Sequence, residues 1–139
     1  MGGSTDGQIL RRTGAGIAVL HDTSILLIRR EDHALWDIPG GGSENDESPE
    51  RTARRELLEE TGLSAGRVHA LGAVPHRNAY LDGNAVDWET HVFAAAFAGE
   101  EPRALDDAAE VRWWLLAALP DNVSDATRAY FTALRAAGS

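Results

Sequence analysis

Apolar residues along this chain gather in short runs separated by polar, glycine-rich connections. "GIAVL" (16–20) and "SILLIRR" (24–30) are aliphatic and β-branched, with "HDT" between them as a hairpin turn, and they predict two strands. "GRVHALGAVP" (66–75), "THVFAAAFAG" (90–99) and "EVRWWLL" (110–116) predict three more. Two segments carry helical spacing instead. Over 49–61, Ala53 and Leu57 fall on one side, Ser48 and Pro49 supply an N-cap and a first-turn proline, and Gly62 supplies a stop. A last helix starts near Ser124, where Val123, Ala126, Ala129, Tyr130, Ala133, Leu134 and Ala137 recur at the intervals of a buried face. The order β-β-α-β-β-β-α predicts an α/β (α+β) fold, a mixed sheet with a helix on either side. "GGGSENDE" is too rich in glycine and acid for regular structure, and "HRNAYLDGNAVDWE" reads as a hairpin or binding loop.

Composition narrows the class. A chain of 139 residues suits one domain, with residues 1–8 as a flexible N-terminus and 9–139 as the folded unit. The net charge is −9 and every base is arginine, which disfavours nucleic acid and anionic membrane as partners. Without cysteine there are no disulfides, zinc-thiolate sites or thiol nucleophiles. No apolar run reaches membrane-spanning length, no signal-peptide pattern opens the chain, and Asp6 stands where a myristoylation signal needs Ser or Thr. A cytoplasmic location is the expectation.

The stretch "RRELLEETGL" (54–63) holds the candidate chemistry. At about 100° per residue, Glu56 and Glu60 project together and Glu59 lies one step round, so three carboxylates share an exposed patch. Mg²⁺ or Mn²⁺ would offset their repulsion, because both prefer oxygen ligands. Ion pairs with Arg54 and Arg55, on a merely solvated face, would offset it as well.

The upstream loop adds a pattern. Gly41, Glu47, Arg55, Glu56, Leu57, Glu59, Glu60, Gly62 and Leu63 form G-x5-E-x7-R-E-U-x-E-E-x-G-U, with U aliphatic, which resembles the Nudix box. "WDIPGGG" (36–42) and "EVRWWLLAALP" (110–120) extend the resemblance to about residues 14–120. Ser43, where an aliphatic residue is frequent, and Asn45-Asp46, in place of a common Pro-Gly turn, depart from the family at unspecified positions. The resemblance implies an α/β/α sandwich and hydrolysis of a nucleoside diphosphate linked to another group, with Mg²⁺ or Mn²⁺ as cofactor. It implies Glu56 and Glu60 as principal metal ligands, Glu59 as a third ligand or a holder of metal-bound water, and a backbone carbonyl from Gly40 or Gly41. Arg55 and Glu47 would brace the loop, with Glu44 a further outer ligand or a solvated acid. The general base would be Asp107 or Glu110, ahead of Trp113, or Glu56 or Glu59 within the box.

Substrate contacts are less sharply marked. Trp88, Trp113, Trp114 and Tyr80 could stack on a base, and His76, Arg77 and Asn78 could touch phosphate or sugar. Gly40 and Gly42 would let backbone approach the ligand. Tyr80, seventeen positions after Leu63, resembles a marker of dinucleoside polyphosphate hydrolases. The partner expected is a small nucleotide, and a homodimer is compatible with the family. The rival function is a nucleotide-binding sensor on the same fold, without hydrolysis; the intact set of box glutamates favours a hydrolase. "RTGAGIAVL" lacks the third glycine of a dinucleotide fingerprint, and "PGGGSEN" lacks the Lys-Ser/Thr of a P-loop.

Overall fold

Strand β1 (Ile9–His21) runs through the middle of the molecule and organises the rest. A computed structural model describes residues 8–31, 34–79 and 81–138. Along one flank β1 pairs in parallel with β6 (Ala85–Ala96), from Ile9↔Ala85 to Leu20↔Ala96. β6 pairs antiparallel with the edge strand β5 (Val68–Ala79). Along the other flank β1 meets β2 (Ser24–Arg30), which pairs with β3 (Trp36–Asp37) and with β7 (Ala108–Leu115). The sheet is mixed, as the element order predicts.

Alternation along β1 divides two cores. Ala15, Ile17 and Val19 pack with Leu26, Phe93, Ala95 and the buried Ala53 and Leu57 of α1 (Pro49–Thr61). Ala18 points the other way, into a cluster with Ile25, Leu27, Trp36, Val92 and Phe131 of α2 (Asp125–Gly138). Both faces are therefore covered by a helix, which is why the central runs are apolar without alternation.

Helix α1 has the predicted bounds. Ser48 Oγ accepts the Arg51 N–H, Pro49 opens the first turn, and Gly62 at φ 77° returns its N–H to Leu58 O. Such caps contribute about 1 kcal/mol each. Helix α2 starts as expected, with Thr127 N donating to Ser124 Oγ at 3.1 Å. Its inward face keeps the expected Val123, Tyr130 and Leu134, buried or partly buried, and adds Phe131 and Thr127, which the expected set lacked. Ala126 and Ala137 have side chains outside the described set.

One connection proves to be more regular than predicted. Gly40–Gly42 forms strand β4, antiparallel to Gly14–Gly16 of β1. Bare backbone on both sides makes this possible: a Cβ on Gly40 would stand 2.5 Å from Ala15 O, and one on Gly14 would stand 2.8 Å from Gly41 O. Of the two alternatives for "HRNAYLDGNAVDWE", the hairpin is observed: its flanks lie in β5 and β6, and residues 9–13 of β1 give β6 a second partner as far as Ala85.

Candidate active site

The all-glycine strand β4 stands as a thin wall between the carboxylates of α1 and a cleft of about 450 Å³ on the α2 side of the sheet. A Cβ on Gly41 would stand 2.6 Å from Glu56 Oε2, so only glycine lets that carboxylate press against the strand. Gly41 pairs with Ala15, and the backbone groups of its two neighbours bind the charged side chains. Gly40 N donates to Glu60 Oε1 at 2.9 Å, Gly40 O accepts from Arg30 Nη2 at 2.9 Å, and Gly42 O accepts from Arg55 Nη2 at 3.0 Å.

The three glutamates do not share one exposed patch. Glu59 is 44% exposed and Glu56 16%, but Glu60 is 1% exposed and turns inward. Its partner is Arg30 at the end of β2, Nη1 to Oε2 2.6 Å, a residue that sequence reasoning passed over. Burial pushes the Glu56 carboxyl up to about 7, opposed by Arg55 and reinforced by Glu59. Burial also raises Glu60 to about 7, outweighing Arg30 and the Gly40 N–H, with Glu56 adding repulsion.

Arg55 both braces the loop and neutralises acids. It binds Glu47 in a fork, Nε to Oε2 2.7 Å and Nη2 to Oε1 3.0 Å, and reaches Glu59 at 2.9 Å and Glu56 at 3.1 Å. Its hydrogen bonds, with the Glu44 N–H and Thr52 hydroxyl, hold Glu47 down at about 2. Arg54 serves elsewhere, bonded to Glu50 and to the carbonyls of Ala65 and Gly66. Glu44 stands 3.7 Å from Arg55.

The two acids ahead of Trp113 take different places, Asp107 in the turn before β7 and Glu110 within the strand. Asp107 reaches Arg30 Nη1 at 3.3 Å and so joins the glutamate cluster. Glu110 pairs across the strands with Arg29, 3.1 Å away, on the opposite side of the sheet from Arg30. The structure thus brings Asp107 to the glutamates and takes Glu110 away from them.

Inside the cleft, Trp88 lies across two paired glycines of β1 and β4, within 3.5 Å of a Cβ on Gly14 and 3.3 Å of one on Gly42. His76, Asn78 and Tyr130 join it. Arg77 alternates to the other side of β5 and forms an exposed fork with Asp87, so it does not line the cleft. Trp113 packs on His21 and Phe97, and Trp114 packs on Trp36 beneath Arg112, which gives both rings structural settings. Tyr80 lies outside the described residues. Asp37, Ser124 and Thr127, which also line the cleft, carried no local signal: a single acid in "WDIP" and two hydroxyls near a helix start are ordinary in sequence.

Among the described residues, no three acidic or histidine side chains stand together as a complete cation cage. The donors nevertheless suit a hard divalent ion. Glu56 and Glu60 offer only oxygen donors, burial and mutual repulsion raise both carboxyls to about 7 so that a cation would favour their ionised form, and the Gly40 carbonyl lies beside the same cluster.

A two-helix sandwich around a mixed sheet, with glutamates of one helix set against a glycine strand, defines the class. A NUDIX domain model matches residues 10–134, and the chain belongs to the Nudix family. The MutT NUDIX hydrolase from Burkholderia pseudomallei matches with a TM-score of 0.80 at 31% identity, covering 89% of this chain and 98% of that one. The MutT protein from Methanosarcina mazei Go1 shares the fold at a TM-score of 0.78 with 21% identity, covering 94% of this chain and 96% of that one. A Bacillus subtilis (strain 168) protein provisionally named an 8-oxo-dGTP diphosphatase is 39% identical over 92 residues, 66% of this chain and 57% of its own length. The chain spans little more than half the length, or less, of the curated relatives that it matches. Among the described residues no helix is long and apolar enough to cross a membrane.

Proposed function

We propose that residues 9–139 form one catalytic domain that hydrolyses a phosphoanhydride bond of a nucleoside diphosphate linked to another group, with Mg²⁺ or Mn²⁺. One observation carries this reading above the rest. Glu56 and Glu60, one helical turn apart and both near pKa 7, flank a glycine strand that opens onto a nucleotide-sized cleft.

Glu56 and Glu60 would hold the cation, with Glu59 at its exposed side and the Gly40 carbonyl completing the set. Gly41 contributes by lacking a side chain. When bound, the ion supplies charge neutralisation at the phosphates and lowers the pKa of the attacking water. Arg30 lines the cleft beside Glu60 and is placed to donate a charge-assisted hydrogen bond to a phosphate oxygen. Arg55 fixes Gly42, Glu47 and Glu59 in one network, so the loop keeps its shape as charge develops. Glu59 and Asp107 are the acids with access to solvent on the glutamate side, which suits a proton acceptor. Trp88 offers a ring for stacking. The relatives' names, including a diphosphatase and an RNA pyrophosphohydrolase from Stenotrophomonas maltophilia (strain K279a), support the same reaction class.

The test is turnover. Incubation with Mg²⁺ or Mn²⁺ and a panel of nucleoside triphosphates, nucleotide sugars, ADP-ribose and dinucleoside polyphosphates should release a nucleoside monophosphate from at least one. Absence of cleavage throughout the panel, or cleavage unchanged in Glu60→Gln, would overturn the proposal.

A further inference from the structure

Two hydroxyls join the end of the glycine strand to the helix that carries the glutamates. Thr52, fully buried near the start of α1, places Oγ1 2.8 Å from Glu47 Oε1, 3.0 Å from Ser48 O and 2.7 Å from Ser43 Oγ. A hydroxyl has one proton to give. Ser48 O already accepts the Thr52 N–H at 2.9 Å, and the Glu47 carboxylate is the stronger acceptor because it is charged. Thr52 therefore donates to Glu47 and accepts from Ser43, whose hydroxyl has no other partner among the described residues. Arg55 closes the circuit: Nη2 donates to Glu47 Oε1 and to Gly42 O, and Gly42 is the residue before Ser43. Ser43 stands at an unspecified position of the box, so that pattern does not account for its hydroxyl.

We propose that Ser43 and Thr52 are positioning residues, whose hydroxyls act through Glu47 to hold Arg55 against Glu56 and the end of the glycine strand. The inference rests on the hydrolase reading above and deepens it. A carboxylate gripped by an arginine fork alone is free to rock within it. Here the Thr52 hydroxyl and the Glu44 N–H reach Oε1 as well, which fixes the plane of the carboxylate. Arg55 Nε then meets Oε2 at 2.7 Å, and Nη1 is left aimed at Glu56 Oε1, 3.1 Å away, and Glu59 Oε1, 2.9 Å away. Ser43 orients the Thr52 proton: by donating to one Thr52 lone pair it turns that proton toward the carboxylate. Loss of either hydroxyl loosens Glu47, then Arg55, and Glu56 loses its fixed neighbour. Small misplacements of this kind lower the rate of the chemical step without a direct contact to the reacting atoms.

The experiment compares wild type with Thr52→Val, Thr52→Ser, Ser43→Ala and Ser43→Ala/Thr52→Val. Valine keeps the shape of Thr52, and Ser48 O and Glu47 keep their other donors. The first readout is solvent exchange of the Arg55 Nε–H, followed by NMR of labelled arginine in protein free of cation and nucleotide. The second is kcat and KM, with Mg²⁺ and the panel nucleotide that wild type cleaves. Exchange should quicken several-fold in Thr52→Val, less in Ser43→Ala, and return to the wild-type rate in Thr52→Ser. In Thr52→Val kcat should fall about tenfold with KM nearly unchanged. The double variant should match Thr52→Val, because Ser43 acts only through Thr52. Wild-type exchange in Thr52→Val, a loss that serine does not restore, a risen KM with unchanged kcat, or additive losses in the double variant would each overturn the assignment. Where Thr52→Val does not fold, wild-type exchange in Ser43→Ala overturns it. Exchange needs no turnover, so faster exchange in a protein that cleaves nothing would leave this inference standing while the hydrolase reading fell. Wild-type exchange in an active Thr52→Val would do the reverse.

Discussion

Arg30 Nη1 lies 2.6 Å from Glu60 Oε2, an ion pair between a strand end and a helix thirty residues later in which the acid is 1% exposed. Charge, strand, glycine wall and helix meet at this contact, because the same guanidinium reaches Gly40 O, Asp107 and, more distantly, Asp37. Removing one partner of such a pair strands the other without compensation. Arg30→Gln should therefore cost roughly 3 kcal/mol in urea denaturation, and Arg30→Gln/Glu60→Gln should recover much of that loss. Additive losses in the double variant would show that the pair is not energetically coupled.

The crowding of Glu56 and Glu60 predicts stabilisation by cations. A divalent ion that binds the folded state alone raises stability by mass action, about 2.7 kcal/mol at one hundred times its dissociation constant. Mg²⁺ or Mn²⁺ should raise the wild-type melting temperature, and Glu56→Gln should lose most of that rise. A cation response that survives in Glu56→Gln would point to binding elsewhere.

Glu47 makes an acid-range prediction. Its hydrogen bonds to Arg55, followed by the Glu44 N–H, hold it at about 2, below the ordinary carboxylate value of 4.5. A depressed carboxylate contributes stability that is fully present above the unfolded-state pKa and is lost as pH falls through the folded one. The window is thus from about 4.5 down to about 2. Glu47→Gln should flatten the stability–pH curve within that window, as measured by thermal melts across it. An unchanged acid limb would remove Glu47 from the loop's acid sensitivity.

Gly41 and Gly42 should respond differently to alanine. The added Cβ at Gly41 would stand 2.6 Å from Glu56 Oε2, whereas at Gly42 it would stand 3.3 Å from the Trp88 ring. Gly41→Ala should displace the carboxylate and lower kcat by about a hundredfold, since misplacements near 1 Å carry losses of that order. Gly42→Ala should act mainly on KM through the ring. Matching kinetic effects for the two variants would argue against the glycine wall as the positioning element.

Helix α1 was legible because its information is local. Ser48, Pro49 and Gly62 bound it, and the four-residue spacing of Ala53 and Leu57 sets its inward face. The box pattern from Gly41 to Leu63 is also local, so Glu56, Glu59, Glu60, Arg55 and Glu47 were legible as a group. The exposure of Glu60 was not, because helical spacing says which side chains lie together and nothing about what covers them. Strand β4 was misread for a related reason: glycines are weak strand formers alone, and Gly40–Gly42 becomes a strand only against the glycines of β1. Arg77 and Glu110 look like their neighbours in sequence, and only strand parity turns them from the cleft and the glutamates.

The sequence by itself determined the two helices, the central apolar strands and the chemical identity of the glutamate cluster, because periodicity and short-range spacing encode all three. Tertiary structure decided the rest. It placed Arg30 and Asp107, 77 positions apart, on one carboxylate cluster, and it set Asp37 against Thr127, 90 positions on. Those choices depend on strand register and on which face each alternating residue takes, and a one-residue slip would reverse them.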